Sequence, residues 1–591
     1  MLEKIKIILN KKQRFYFVIL FFGIFVSTML ELVGIGSVPI FVGFLLNPEV
    51  LSSHLPSSDL TIFFINQDHF YKVTLISIIL ILFFVLKNLF IILVTIFQAS
   101  MFRNLNVENA KRLFKAYVNT PYHLHLNFNP AIITRNVLVE TITSSVFIDS
   151  LMTLVRDFLI IAGIFILLLA VDFKTSSVVF VIMGLFTTIF YKLIKKRMTY
   201  FAKISQNHRG QSFKIINQVF NAIKETKILS KELFFTDQFV IEKKGSERAT
   251  FFHQVIKKIP RPVMETLAVI TILLITIIFF INDRPVNDIL PTLSLMGIAV
   301  IRLIPSFNSI TVTAAYLKET QVSFDVVASQ LNKFEKNANK KYLKEIKSDF
   351  KNEEIKLINV SYKYPNSENL VLKNINLNIK SKSSVAFVGT TGSGKTTLVD
   401  LISGLLQPTN GEIVSSNINI NDNPIAWQSK IGYIPQDIYL IDDTIKRNIA
   451  FGIGDDNINE EAIIRSTKLA QINKFISDLP LGFDTVVGNR GIRLSGGQRQ
   501  RIGIARALYH DPAILILDEA TSSLDYATEK KLIEDIESLH GKYTIIIISH
   551  RLLITKNCDQ VFKKMRKLIL SNRIKQNLET RIREDGFKRL T

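Results

Sequence analysis

One cysteine, Cys558, stands in a chain of 591 residues. No intrachain disulfide can form, nothing in the fold depends on an oxidising compartment, and a thiolate-held metal cluster is excluded. Acidic residues are scarce beside basic ones: 50 Asp and Glu against 72 Lys and Arg leave a formal charge of +22. A surplus of that size invites a nucleic-acid partner. The placement of the charges argues against one. Lys4, Lys6, Lys11, Lys12 and Arg14, then Arg103, Lys111 and Arg112, then Lys192, Lys195, Lys196 and Arg197 sit beside long apolar runs. Basic residues gather in this way on the cytoplasmic side of a membrane, against anionic lipid, so lipid is the expected partner and nucleic acid is not.

A cleavable leader is not expected. The N-terminus has a basic flank, but the apolar run from Phe15 to Leu46 is too long for a signal peptide and lacks a clear small-residue cleavage site. It reads as a retained membrane helix. Crossing about 30 Å of hydrocarbon takes about 20 apolar residues. Six runs are candidates, the fourth of them short: Phe15 to Leu46, Val73 to Phe97, Leu151 to Val171, Ser176 to Tyr191, Val263 to Ile281 and Ile289 to Leu317. The loops Asn47 to Lys72, Asp172 to Thr175 and Asn282 to Asp288 carry only Lys72, Lys174 and Arg284 as basic residues. The other connections are crowded with Lys and Arg, which places both termini in the cytoplasm. Two of those connections, Gln98 to Ser150 and Lys192 to Pro262, are long and helically patterned, as helices projecting into the cytoplasm would be.

Charges inside the apolar runs are costly unless they face a polar cavity or a partner. Glu31, Lys87, Arg156, Glu265 and Arg302 lie within runs, and Arg261 lies just outside the fifth. Glu31 is expected to pair with Lys87 if the role is structural, and Arg156 and Glu265 read as interfacial. Lys87 and Arg302 lie deep enough to point to a water-filled pathway.

From about Asn332 onward the composition is that of a soluble α/β protein. The apolar strand Val385 to Val388 runs into Gly389-Thr390-Thr391-Gly392-Ser393-Gly394-Lys395-Thr396, with Thr397 and an apolar helix after it. This is a P-loop in its strand–loop–helix context. Its glycines let backbone N–H groups wrap phosphates, Lys395 neutralises the β- and γ-phosphates, and the Thr396 hydroxyl ligates Mg²⁺. A second apolar strand, Ile514 to Leu517, ends in Asp518-Glu519. Asp518 is placed for the Mg²⁺ shell and Glu519 to polarise the attacking water. ATP and Mg²⁺ are the expected cofactors.

Between the two lies Leu494-Ser495-Gly496-Gly497-Gln498. With the P-loop, it makes this half resemble the ATP-binding-cassette ATPases. The resemblance implies that Tyr364 stacks on adenine, that Gln436 touches Mg²⁺ and the membrane domain, that Asp525 crosses the dimer and that His550 contacts the γ-phosphate. It also implies that Ser495 to Gln498 meets ATP held by a second chain, so a homodimer is expected. Six spans followed by one cassette resemble the exporter-type half-transporters. The expected architecture is an α-helical six-span membrane domain (1–330), a linker (331–354), an α/β P-loop ATPase cassette (355–560) and a basic tail (561–591). Coupling helices are expected near Phe128 to Val137 and Ser230 to Gln238. This chain departs from the pattern at Asn489, where the family usually has Glu, and at Ser523, where Ala is usual. The hairpin expected after His550, with its glycine, is hard to find.

The membrane half is similar to bacterial lipid-linked oligosaccharide flippases at Glu31, Lys87, Pro260-Arg261 and Arg302 to Ser306, and Pro48 to Phe70 could supply their short external helix. That likeness implies an anionic polyprenyl-pyrophosphate-linked cargo met by Lys87, Arg261 and Arg302 in a bacterial inner membrane. Lys87 stands where those flippases carry Arg. Readings left open are a lipid or drug exporter, a regulatory or nucleic-acid-associated cassette ATPase, and a channel or receptor gated by ATP.

Overall fold

The computed structural model describes residues 1–46, 68–126, 128–171, 173–281, 286–341, 350, 354–365, 367–390, 392–488, 491–519, 534–535, 537–549, 558–565 and 568–572. They fall into two units: 1–119 with 128–338, and 120–127 with the chain from 339 onward.

The first unit is helical. A short α1 (Leu2–Ile8) precedes α2 (Lys11–Leu46) and α3 (His69–Val118). Then come α5 (Thr141–Val171), α6 (Phe173–Asn221), α7 (Ile223–Ile228), α8 (Glu232–Lys258), α9 (Pro260–Ile281) and α10 (Val286–Lys341). Among the described residues five helices hold an apolar stretch long enough to span a membrane, and a sixth, Phe180–Phe190, is shorter. That matches the expected short fourth run. Along α3, Ile78, Ile81, Leu82, Val85, Leu89, Ile92 and Leu93 are all more than half exposed. An apolar face of that extent needs lipid or a partner.

The linker begins later than expected. Helix α10 runs to Lys341, because Phe324, Val327, Ala328, Leu331 and Phe334 recur at helical spacing and are all buried. Most of the remaining linker lies outside the described residues. The first coupling segment also sits elsewhere. Residues 128–137 belong to the membrane unit, where Phe128 packs its ring on Phe334 and Tyr117 at 5.5 and 6.0 Å. Residues 120–127, with the one-turn helix α4 (Tyr122–His125), belong instead with the cassette. Ring contacts hold Phe128 in that unit, and Pro121 opens the one-turn helix ahead of it. The second expected segment, 230–238, lies in the membrane unit, with Ile228, Leu233 and Phe234 exposed.

The cassette is built on two sheets. Strands β1 (Ile355–Tyr362), β2 (Leu372–Ile379), β4 (Asn410–Ser415) and β5 (Ile418–Asn419) form an antiparallel sheet in the order β2-β1-β4-β5. The main sheet, in the order β10-β9-β3-β8-β7-β6, contains β3 (Ser384–Gly389), β6 (Ile431–Ile434), β7 (Ile514–Asp518), β8 (Thr544–Ser549), β9 (Gln560–Met565) and β10 (Leu568–Asn572). Its central strands are continuous apolar runs buried on both faces, as parallel strands under double cover must be. Ile514, Ile516, Ile546 and Ile548 face a core shared with the P-loop helix α11 (Lys395–Ile402). Leu515, Leu517, Ile545 and Ile547 face the opposite core, shared with α12 (Glu460–Leu469) and α13 (Gly496–Leu508).

The cassette boundary therefore moves. The expected tail at 561–591 begins inside the sheet: β9 pairs in parallel with β3 and antiparallel with β10. Phe562 is buried and stacks on Phe387 at 5.7 Å. The adjacent Lys563 and Lys564 gave this strand the look of a basic tail. The hairpin that the sequence hid is thus present. Residues 573–591 lie outside the described set.

Candidate active site

Strand β3 delivers the chain into a loop in which Gly392 and Gly394 take φ of 77° and 87°. Those left-handed values suit glycine and turn the backbone sharply into α11. Lys395 opens that helix, is 6% exposed, and folds back to donate to the carbonyls of Gly389 and Thr390 at 2.7 and 3.1 Å. Burial lowers its pKa, partly offset by the negative charge of Glu519 and Asp518. The lysine thus lies within the field of both carboxylates.

A bound phosphate fits this loop. Ser393 Oγ is buried with no hydrogen-bond partner in the protein. A buried hydroxyl left so is costly unless a ligand satisfies it. Thr396 stands exposed on the first turn, where its hydroxyl can reach a metal ion, while Thr397 is buried. Thr397 Oγ1 and the Tyr364 hydroxyl lie 3.0 Å apart, and Tyr364 meets Tyr362 edge-on at 5.0 Å. Tyr364, expected to face adenine, is therefore anchored to the P-loop helix.

Asp518 ends β7, 7% exposed, and its Oδ2 accepts from the Tyr433 hydroxyl at 3.1 Å. Burial raises its pKa, the Tyr433 hydrogen bond counters that rise, and the charge of Glu519 adds to it. A metal dication would stabilise the ionised form. Glu519 has φ of 48°, in the left-handed region, with its N–H donating to the Ile548 carbonyl at 3.1 Å. A non-glycine residue held there is strained, and such strain concentrates at functional positions. It turns the chain sharply just past the strand end.

Three residues at this centre escaped the sequence reading. Tyr433 stands three positions before Gln436, on the strand beside β7. Burial and the Asp518 charge push its phenol pKa up. Asp400, on α11, is 6% exposed, and burial followed by the Asp518 charge raises its carboxyl to about 6. A lone acid on the buried face of an apolar helix was the available signal. Tyr122, from the one-turn helix α4, has its pKa raised by burial and by Asp400, Tyr364 and Asp518. Its helix alone gave no hint of that neighbourhood. Burial also holds the single thiol, Cys558, up at about 11, an unreactive value.

The signature segment stands apart. Ser495 caps α13: its Oγ accepts from Gln498 N at 3.2 Å, and Gln498 Oε1 accepts from Ser495 N at 2.8 Å. Gly496 and Gly497 form the first turn. This helix packs in the core on the sheet face opposite the P-loop helix. Gln436 lies exposed after β6. Thr391, Asn489, Ser523, Asp525 and His550 lie outside the described residues.

In the membrane unit Arg302 Nη1 meets Glu31 Oε1 at 2.9 Å, with Arg302 46% and Glu31 14% exposed. Glu31 therefore pairs with Arg302 rather than with Lys87. Lys87 is only 2% exposed, its ammonium 4.4 Å from the Phe84 ring centre, so it does not open to a pathway as expected. Gly34 makes the room: a Cβ there would meet Lys87 Nζ at 3.0 Å. Arg261 is exposed at the start of α9 and pairs with Glu265 one turn on, at 2.9 Å. Arg156 pairs with its neighbour Asp157 at 3.3 Å. Lys87 and Arg302 thus gather around Glu31, and Arg261 stands apart with its own carboxylate.

A family model described as ABC transporter matches residues 372–522. The ATP-dependent lipid A-core flippase of Pectobacterium atrosepticum is 30% identical over 416 residues, 70% of each chain. The heterocyst differentiation ATP-binding protein HepA of Nostoc sp. is 39% identical over 306 residues, 51% of this chain. The match spans about half of that relative, 48% of its length. Among solved structures, a bacterial Atm1-family ABC exporter with ATP bound superposes with a TM-score of 0.74 at 18% identity, covering 98% of this chain and 97% of the other.

Proposed function

Because the chain belongs to the ATP-binding-cassette transporter family, with an exporter-type fold, we propose that it hydrolyses ATP to move an amphiphile with an anionic head group across a membrane. One observation carries the reading. A P-loop whose Ser393 hydroxyl awaits a partner sits beside Asp518 and a strained Glu519, on the same chain as five span-length apolar helices.

In this reading the backbone of Gly389 to Lys395 wraps the phosphates, and Lys395 exchanges its two carbonyl partners for phosphate oxygens. Tyr364 presents its ring to adenine. Thr396, Gln436 and Asp518 hold Mg²⁺, which draws charge from the β- and γ-phosphates when bound. Glu519 takes the proton of the attacking water, and His550 steadies the γ-phosphate. Ser495 to Gln498 lies on the sheet face away from the chain's own P-loop helix, which favours a second copy completing each site. The exposed turn around Ile228, Leu233 and Phe234 offers that copy an apolar foothold.

The finer proposal is a homodimer in a bacterial inner membrane, both termini and the cassettes cytoplasmic, flipping a polyprenyl-pyrophosphate-linked oligosaccharide. Arg302, nearly half exposed on a membrane helix, supports an anionic head group. A second reading, a lipid or drug exporter, draws on the relative named as a lipid A-core flippase. Proteoliposomes decide between them. ATP-dependent transfer of a polyprenyl-pyrophosphate-linked saccharide, lost in Arg302→Ala, supports the first; equal transfer of neutral lipids or drugs supports the second.

A further inference from the structure

Lys87, Glu31 and Arg302 form one electrostatic cluster on three helices, α3, α2 and α10, with a net charge of +1. The two cations differ in what they can reach. Arg302 is 46% exposed and open to a ligand, whereas Lys87 is 2% exposed and closed to one. An ammonium so buried needs a counter-charge, since a ring face offsets only part of its desolvation. It lies against Gly34 of α2, three residues after Glu31 and on the same helical face. The carboxylate of Glu31 therefore stands one turn from a buried ammonium while it bonds an accessible guanidinium.

Resting on the reading that Arg302 meets an anionic head group, we infer that Glu31 is a built-in counter-anion that masks Arg302 and passes to Lys87 when a phosphate-bearing ligand displaces it. Phosphate binds a guanidinium in two parallel hydrogen bonds, so it competes directly with the carboxylate. A carboxylate displaced into an apolar setting without a new partner would make that exchange unfavourable. Lys87 supplies the partner, so Glu31 and Arg302 each stay paired in both arrangements. Lys87 is then a positioning residue, acting through Glu31, and Glu31 sets selectivity: a neutral amphiphile cannot displace it.

The test measures binding of farnesyl pyrophosphate and of inorganic pyrophosphate to the full-length protein in nanodiscs of zwitterionic lipid. Glu31→Gln unmasks Arg302 and should tighten both probes about tenfold, which corresponds to about 1.4 kcal/mol. In Glu31→Gln/Arg302→Gln the gain should vanish. Lys87→Met should weaken binding several-fold, and Glu31→Gln should restore it in that background. If Glu31→Gln fails to fold, Lys87→Met decides the matter: unchanged binding of both probes in that folded variant would overturn the inference. Unchanged or weaker binding in a folded Glu31→Gln protein, tightening that survives loss of Arg302, or no binding of either probe to any variant would overturn the inference. Tightening through Arg302 with no flipping of lipid-linked saccharide would instead sink the cargo reading and leave the counter-anion standing.

Discussion

Tyr433 and Asp518 stand on neighbouring parallel strands, and the phenol donates to the carboxylate at 3.1 Å. The bond fixes one oxygen of Asp518 and leaves the other for the proposed Mg²⁺. Tyr433→Phe should weaken Mg²⁺-dependent nucleotide binding by about tenfold, since a hydrogen bond to a charged group contributes about 1.5–3 kcal/mol. Binding without Mg²⁺ should stay unchanged. Titrating a fluorescent ATP analogue with and without Mg²⁺ checks both; equal losses in the two would make Tyr433 merely structural.

The backbone strain at Glu519 separates chemistry from stability. Glu519→Gln should keep ATP binding and cut hydrolysis by orders of magnitude, because the carboxylate proposed to polarise water is lost while the positions of other groups survive. Glu519→Gly should be equally inactive yet more stable, by about 1 kcal/mol, since glycine tolerates positive φ. Phosphate release and thermal melting together test this; a less stable glycine variant contradicts the strain.

Asp400 gives the cassette a pH-dependent weakness. Its folded pKa is about 6 against an ordinary aspartate value of 3.8. Below pH 3.8 both states hold the proton and the group has no effect. Between the two values the folded state keeps a proton that the unfolded chain sheds, so stability falls as pH rises through this window. Above about pH 6 the cost is constant, up to about 3 kcal/mol. Asp400→Asn should therefore raise the melting temperature at pH 7.5 more than at pH 4.5. An equal shift at both values would rule out the ionisation as the cause.

The exposed turn of α7 and α8 tests the assembly. Leu233 and Ile228 are 78% and 81% exposed. Leu233→Glu with Ile228→Glu should lower ATPase turnover at least tenfold while leaving nucleotide binding to each chain intact, if that turn docks on a second copy's cassette. Native mass measurement in nanodiscs should give twice 67.3 kDa for the wild type. A monomer with full turnover would contradict the dimer.

The nucleotide centre was legible where chemistry fixes local spacing. Gly389 to Thr396 and Asp518-Glu519 are each continuous, because a phosphate loop and a strand end are local objects. Tyr433 and Asp400 were not legible, because adjacency of β6 with β7 and the turn of α11 bring them to Asp518. The Glu31 partner was misjudged for a related reason. Run positions place charges at similar depths, but the rotation of α2, α3 and α10 decides which ones meet. Phe562 was missed because basic residues crowd the sequence just after it, as they would in a solvated tail. Tyr122 shows the limit most clearly: a single turn of helix carries no periodicity from which to read a destination.

The position of β3 between β8 and β9 sets an order for making the molecule. Both neighbours come from the far end of the cassette, so the strand that feeds the P-loop leaves the ribosome long before either can flank it. Until Phe562 has emerged to cover Phe387, that strand has an open edge and an uncovered ring. The apolar helices are by then already made, and a nascent chain stalled before Gln560 would hold a finished membrane anchor and an ATP site that cannot yet be shaped.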